Sequence, residues 1–370
     1  MISKSINFKN FRVKKKSKLI TNKLKEVLQE NSQIIKSLKK DYKDKFNHKI
    51  FNYFNKNLDF RIIGMGGSTL GTQAIYGFLK NKIKKNFYFV DNLQSQKHNF
   101  SAKRFNNLVI SKSGNTIETI VNSNILIKKN EKSLFLTENK KSYLRKLAQK
   151  LKSEIVDHNN YIGGRYSVLS EVGMLPASLM GLSPKKFKRF DHLIKDKRFV
   201  NSLISNVSST VSLIKKKKFN SIILNFDENS EDLFKWYQQL IAESLGKKSN
   251  GLLPVISNLP RDNHSMMQLY LDGPRNNFYT FFDVLDSPKN SYLAKIKLAQ
   301  KKATKIVFKK KKLPFRCLNL RDRSEGSLGE IFTFFMLETI LIGEALNLNP
   351  FDQPAVEQIK IETKKIIKNL

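Results

Sequence analysis

Residues 61–79 read RIIGMGGSTLGTQAIYGFL, and residues 106–121 read NNLVISKSGNTIETIV. Each opens on a short apolar run, passes through a turn of small residues and continues into apolar positions at helical spacing. In the first, the strand ends at Ile63, the turn holds Gly64, Gly66, Gly67 and Ser68, and Leu70, Ala74, Ile75 and Phe78 mark the helix. In the second, a strand over 107–111 is followed by Ser111, Lys112, Ser113, Gly114, Asn115 and Thr116. A strand, turn and helix repeated in succession predict an α/β fold with parallel strands.

The alternation extends outward from these two units. Apolar runs at 61–65, 87–91, 108–111 and 133–136 predict the strands of a first lobe. A charged stretch with Ser183-Pro184 breaks the pattern near 182–197, and runs at 221–225, 253–257, 278–283 and 305–308 resume it. The expected architecture is two αβα sandwich lobes with mainly parallel sheets, over 51–190 and 191–370, with helical N- and C-terminal segments. Ile20, Leu24, Val27, Leu28, Ile35 and Leu38 fall near helical spacing, so 1–50 reads as a helical cover. The longest apolar stretch, 331–346, is interrupted by Glu338 and Glu344 and reads as a buried helix, not a bilayer span.

With 370 residues the chain can hold two domains, and 40% apolar content excludes a disordered protein. The net charge is +37, from 68 Lys and Arg against 31 Asp and Glu. Of the basic residues only 12 are Arg and 56 are Lys. Base-specific readers of nucleic acid favour Arg for its bidentate geometry, so the charge reads as a lysine-biased surface, not as specific nucleic-acid binding. Lysine runs at 14–16, 215–218 and 309–312 fit that reading. The single cysteine, Cys317, excludes an intramolecular disulfide and a Cys-based metal site. The first residues contain no apolar leader core. A cytoplasmic location is the expectation.

Neither small-residue turn is a nucleotide fingerprint. G-x-G-G-S lacks the spacing of the dinucleotide motif and the lysine of the phosphate loop. The hydroxyls of 111–116 instead suit a monophosphate, with the positive end of the following helix attracting the dianion. Ordinary N-capping is the alternative, and it needs one hydroxyl only. Both turns are expected at the carboxyl ends of neighbouring strands, where open α/β sheets bind ligands.

SKSGNTIET resembles the phosphosugar-binding loop of sugar-isomerase domains, and IGMGGSTLG is similar to the signature of the phosphoglucose isomerase family. GGRYSVLSEVGMLP at 163–176, QQLIAESLGKKSNG at 238–251, LPRDNHSMMQLYLDGPRN at 259–276 and NPFDQPAVEQIK at 349–360 extend the likeness in the same order. The resemblance implies two sugar-isomerase lobes and reversible interconversion of glucose 6-phosphate and fructose 6-phosphate. The route is ring opening and an enediolate, and neither metal nor organic cofactor is implied.

Such a reaction needs a base, a stabiliser for the enediolate and help in opening the ring. Glu243 follows Trp236 and Leu240 at i, i+4, i+7 on a helix expected over 231–246, where desolvation and the helix dipole disfavour a free carboxylate. Pairing with Lys247 at i+4 is the structural alternative. The resemblance makes Glu243 the base between C2 and C1. Arg165 follows Gly163 and Gly164, and its permanent charge suits an enediolate; its alternative is a surface ion pair. By resemblance Gly164 lies beside the substrate, as do Gly67 and Ser68. Ser111, Lys112, Ser113 and Thr116 hold the phosphate with Gln353. The resemblance further implies that His264 and Lys360 open the ring and that His264 is shared across the subunits of a homodimer. Ile359 stands where the family usually has glycine. The competing readings are a bifunctional phosphoglucose/phosphomannose isomerase and a non-catalytic phosphosugar-binding regulator.

Overall fold

The computed structural model of the chain describes residues 2–11, 17–47, 49–54, 59–93, 104–286, 291–367 and 369. The lysine run at 14–16 lies outside them. Ten strands are present among the described residues: β1 (Ile6–Lys9), β2 (Asp59–Gly64), β3 (Asn86–Val90), β4 (Asn106–Ile110), β5 (Ser133–Thr137), β6 (Glu154–Asp157), β7 (Asn220–Asn225), β8 (Leu253–Asn258), β9 (Asn277–Val284) and β10 (Phe315–Leu320). They form two five-stranded sheets, ordered β3-β2-β4-β5-β6 and β1-β10-β9-β7-β8. Every pairing is parallel except β1 with β10. Strands β4 and β5 are buried at every position, as expected of central strands covered by helices on both faces.

Three elements differ from the sequence reading. The run 305–308 is helical and belongs to Tyr292–Lys310; the last strand is β10. The N-terminal segment is not a helical cover alone, because β1 pairs Ile6 with Leu320 and closes one edge of the second sheet. Strand β6 extends the first sheet beyond the predicted four.

The apolar stretch near 331–346 forms helix Glu325–Ala345, buried over nearly its whole length. Length and composition alone would let it cross a membrane, yet its neighbours here are protein. Phe332 meets Trp236, Phe334 meets Phe8, and Phe335 meets Tyr237, so this helix ties β1 and helix Glu231–Leu245 into one core.

In the first sheet, β2 is followed by β3 on one side and β4 on the other, which opens a crevice at the carboxyl ends of β2 and β4. The two turns quoted above lie there.

Candidate active site

The 111–116 turn leaves β4 under restraint. Ser111 N donates to Leu136 O at 3.1 Å, and the Ser111 and Thr116 hydroxyls lie 3.0 Å apart. Gly114 has φ +64, and a Cβ there would stand 2.2 Å from Ser142 Oγ, so both backbone and packing require glycine. Thr116 precedes helix Ile117–Leu126, but no side chain caps that helix. Simple N-capping therefore does not account for the hydroxyl cluster. The first-turn amides remain available to an anion.

Gly67 meets the third motif backbone to backbone. A Cβ on it would fall 2.2 Å from the carbonyl carbon of Gly164. That contact sets the 3-10 turn Gly164–Leu169, with buried Arg165, against the first turn.

Arg165 uses all five of its N–H donors. Nε donates to Ser244 Oγ at 2.8 Å, and Nη2 to the carbonyls of Pro350 at 2.8 Å and Asp352 at 2.9 Å. Nη1 donates to Glu243 Oε2 at 3.1 Å and Gln353 Oε1 at 2.9 Å. With a side chain only 2% exposed, Arg165 is not a surface ion pair. Its neighbour Tyr166 bonds Ser244 Oγ and Pro350 O, and burial pushes its phenol up to about 12, keeping it neutral.

Helix Glu231–Leu245 begins after Ser230, ends at Gly246 and packs along helix Leu70–Phe78 of the first lobe. Trp236 and Leu240 are buried, and Trp236 Nε1 donates to Arg165 O at 3.2 Å. Glu243 continues that stripe into the crevice. Its Oε1 accepts from Gln239 Nε2 at 2.8 Å. Lys247 does not pair with it; its ammonium lies 2.9 Å from Asp352 and donates to Ser244 O at 3.1 Å.

These groups line one cavity of about 380 Å³, which brings together Gly67, Ser68, Lys112, Ser113, Thr116, Gly164, Arg165, Glu243, Gln353 and Lys360. Ser111 sits behind it through its bond to Thr116. Lys360 comes from the exposed helix Pro354–Ile367 and lies 2.6 Å from Glu357. His264 is not brought to this cavity; it is exposed after the short turn Arg261–Asn263. Among the described residues no three His, Cys, Asp or Glu side chains converge as metal ligands.

Two polar lining residues escaped the sequence reading. Glu138, just past β5, lies 3.6 Å from Lys112 and 3.1 Å from Lys140. Its place at a strand's carboxyl end was the available signal. Gln239, one turn before Glu243 on the same face, orients the carboxylate, and its buried Oε1 has no hydrogen-bond partner among the described residues. Met65, Gly163 and Phe351 complete the wall.

A family model described as phosphoglucose isomerase matches residues 6–257. The chain belongs to the phosphoglucose isomerase family. It is 31% identical to glucose-6-phosphate isomerase of Methanocaldococcus jannaschii, over 83% of this chain and 84% of that protein. It is 30% identical to a probable glucose-6-phosphate isomerase of Methanococcus maripaludis, over 90% and 87%. Among solved structures, glucose-6-phosphate isomerase of Chlamydia trachomatis superposes with a TM-score of 0.72 at 18% identity, covering 94% of this chain and 74% of that one. A hypothetical protein of Thermus thermophilus reaches 0.76 at 21% identity, covering 94% of both. At these identities the structural matches establish the shared fold. In phosphoglucose isomerase terms, the motifs that carry the resemblance converge on one crevice, apart from the segment bearing His264.

Proposed function

We infer that this chain interconverts glucose 6-phosphate and fructose 6-phosphate. The observation that carries the inference is the joining, in one cavity, of the uncapped hydroxyl turn and the Glu243–Arg165 pair, in a chain whose relatives are named glucose-6-phosphate isomerases.

The phosphate sits on the 111–116 turn, against Lys112 and the open amides of helix Ile117–Leu126. The sugar then extends toward Glu243. With Oε1 held by Gln239 and Oε2 by Arg165, the carboxylate keeps free lone pairs and a fixed orientation, as a base moving a proton between C2 and C1 requires. Negative charge developing on the enediolate oxygens meets the Nη1 edge of Arg165, whose two donors now serve the side chains of Glu243 and Gln353 and can be exchanged for substrate oxygens, whereas Nε and Nη2 hold Ser244 and backbone carbonyls. Gln353 shares Nη1 and supports the phosphate side. Lys360 assists ring opening from the cavity rim. The partner subunit's His264 completes that step in a homodimer, which fits its exposure here, and the cytoplasm is the site of action.

A coupled assay for glucose 6-phosphate formed from fructose 6-phosphate tests the reading. Turnover is expected. A folded chain that binds either sugar phosphate without converting it would favour a regulator instead.

A further inference from the structure

A second cavity, of about 730 Å³, shares no lining residue with the first. It lies between the N-terminal segment and helices Pro184–Phe187 and Phe190–Lys195. Lys4, Lys40, Lys185, Lys186 and Lys195 reach it from both sides, all exposed and none in an ion pair among the described residues. The other two cations are engaged. Lys188 is buried 3.8 Å from Asp44 and donates to Ser37 O at 2.7 Å and to Leu169 O; Arg189 Nε lies 3.7 Å from Glu330. Asp191 is the one carboxylate among the described lining residues, and its Oδ2 accepts from the backbone N–H of Lys40 at 3.2 Å.

Five ammonium groups around one concavity repel one another, and the concave wall concentrates their potential. A multiply charged anion would relieve that repulsion. We propose that this cavity binds a compact oligophosphate. Charge and shape select the class. A single dianionic phosphate would leave most of the ammonium groups unneutralised, whereas an oligophosphate carries a charge on each inner phosphate and nearly two on each end. Lysine ammonium groups act as point charges and adapt to such a chain without the fixed fork of arginine. Among the described lining residues the one ring is the exposed imidazole of His192, with no phenylalanine, tyrosine or tryptophan beside it, so the cavity lacks the succession of rings on which consecutive nucleic-acid bases stack. The volume falls in the range of small-ligand sites.

Calorimetric titration of the full chain with inorganic tripolyphosphate, at saturating fructose 6-phosphate, tests this proposal. The expected result is one ligand per chain, weakened roughly tenfold or more in the combined variant Lys185→Ala, Lys186→Ala, Lys195→Ala and weakened by added salt. These exposed substitutions should leave the fold and the KM for fructose 6-phosphate unchanged, and Lys112→Ala should leave tripolyphosphate binding intact. Displacement by fructose 6-phosphate, or loss in Lys112→Ala, would place the anion in the first cavity and overturn the proposal. Several ligands per chain with no loss in the combined variant would show diffuse surface charge only. Tighter binding of a single-stranded oligonucleotide than of tripolyphosphate would overturn the ligand class.

Discussion

Arg165 and Glu243 illustrate how much of the site rests on single side chains. A buried guanidinium is costly unless every donor is met, and Arg165 meets all five, two of them at the carbonyls of the chain's closing segment. It therefore fixes the 350–353 stretch as well as facing the reaction. Gly67 matters through what it lacks. Gly67→Ala would push the turn from Gly164, whose backbone cannot yield as a side chain can, with an expected loss of about 1–3 kcal/mol. Because Arg165 is next in sequence, activity should fall by at least about tenfold. Thermal melting and the coupled assay check this; wild-type values in both would show that the Gly67–Gly164 contact does not position Arg165. The apolar stripe that Glu243 prolongs and the two glycines before the scarce arginine Arg165 marked these positions locally, but pairing with Lys247 and a surface ion pair stayed open on the residues alone, and their catalytic roles came from the resemblance. Lys360 and Gln353 were not legible from periodicity, since one lysine in 56 has no local mark. Only the resemblance singled them out.

Among the elements, strand-turn-helix units with small residues at the turn were read correctly, because glycine and apolar spacing act locally. The failures arose where distant contacts decide. Residues 305–308 look like a β-branched run, yet Phe308 is buried while Ile306 is 52% exposed, the one-sided burial of a helix. The true strand, β10, carries Arg316 in its interior, an unpromising sign for a core strand. Its charge is met by Glu338 of helix Glu325–Ala345 and by Asn206, 2.8 Å away, both remote in sequence. Strand β1 has four residues and depends on partners at 317–320. Helix Glu231–Leu245 was placed correctly by its first-turn acids and terminal glycine, but its packing on helix Leu70–Phe78, which delivers Glu243 to the first lobe, is invisible to spacing.

Across the whole molecule, a buried polar network links the N-terminal segment to the helices beside the first lobe. Tyr42 donates to Glu171 Oε2 at 2.9 Å, Asn159 N donates to Oε1 at 2.5 Å, and Asp44 faces Lys188. Burial raises the Asp44 carboxyl from 3.8 to about 6, partly offset by the charge of Lys188 and reinforced by Glu171. A raised acid adds stability at pH below about 3.8 and loses it as pH rises through about 6. Lys188, lowered to about 8 mainly by burial, adds stability above its ordinary 10.5 and loses it as pH falls through about 8, outside that window. Asp44→Asn should therefore flatten the change in urea midpoint between pH 4 and 6 relative to wild type. Equal slopes would show that Asp44 does not titrate in the folded chain as its burial requires. The same scale recasts the +37 charge: Lys112, Arg165 and Lys360 face the first cavity, whereas the largest unpaired cluster described above surrounds the second.

The central claim is that Glu243 carries a proton between two sugar carbons in a site of this fold's making. Hydrogen exchange at C2 of glucose 6-phosphate in deuterated water, followed by NMR for wild type and Glu243→Gln, tests it most directly. Wild type is predicted to incorporate deuterium while interconverting the sugars, and Glu243→Gln to fold, bind the sugar phosphate and lose the exchange. Exchange at the wild-type rate in Glu243→Gln would contradict the account.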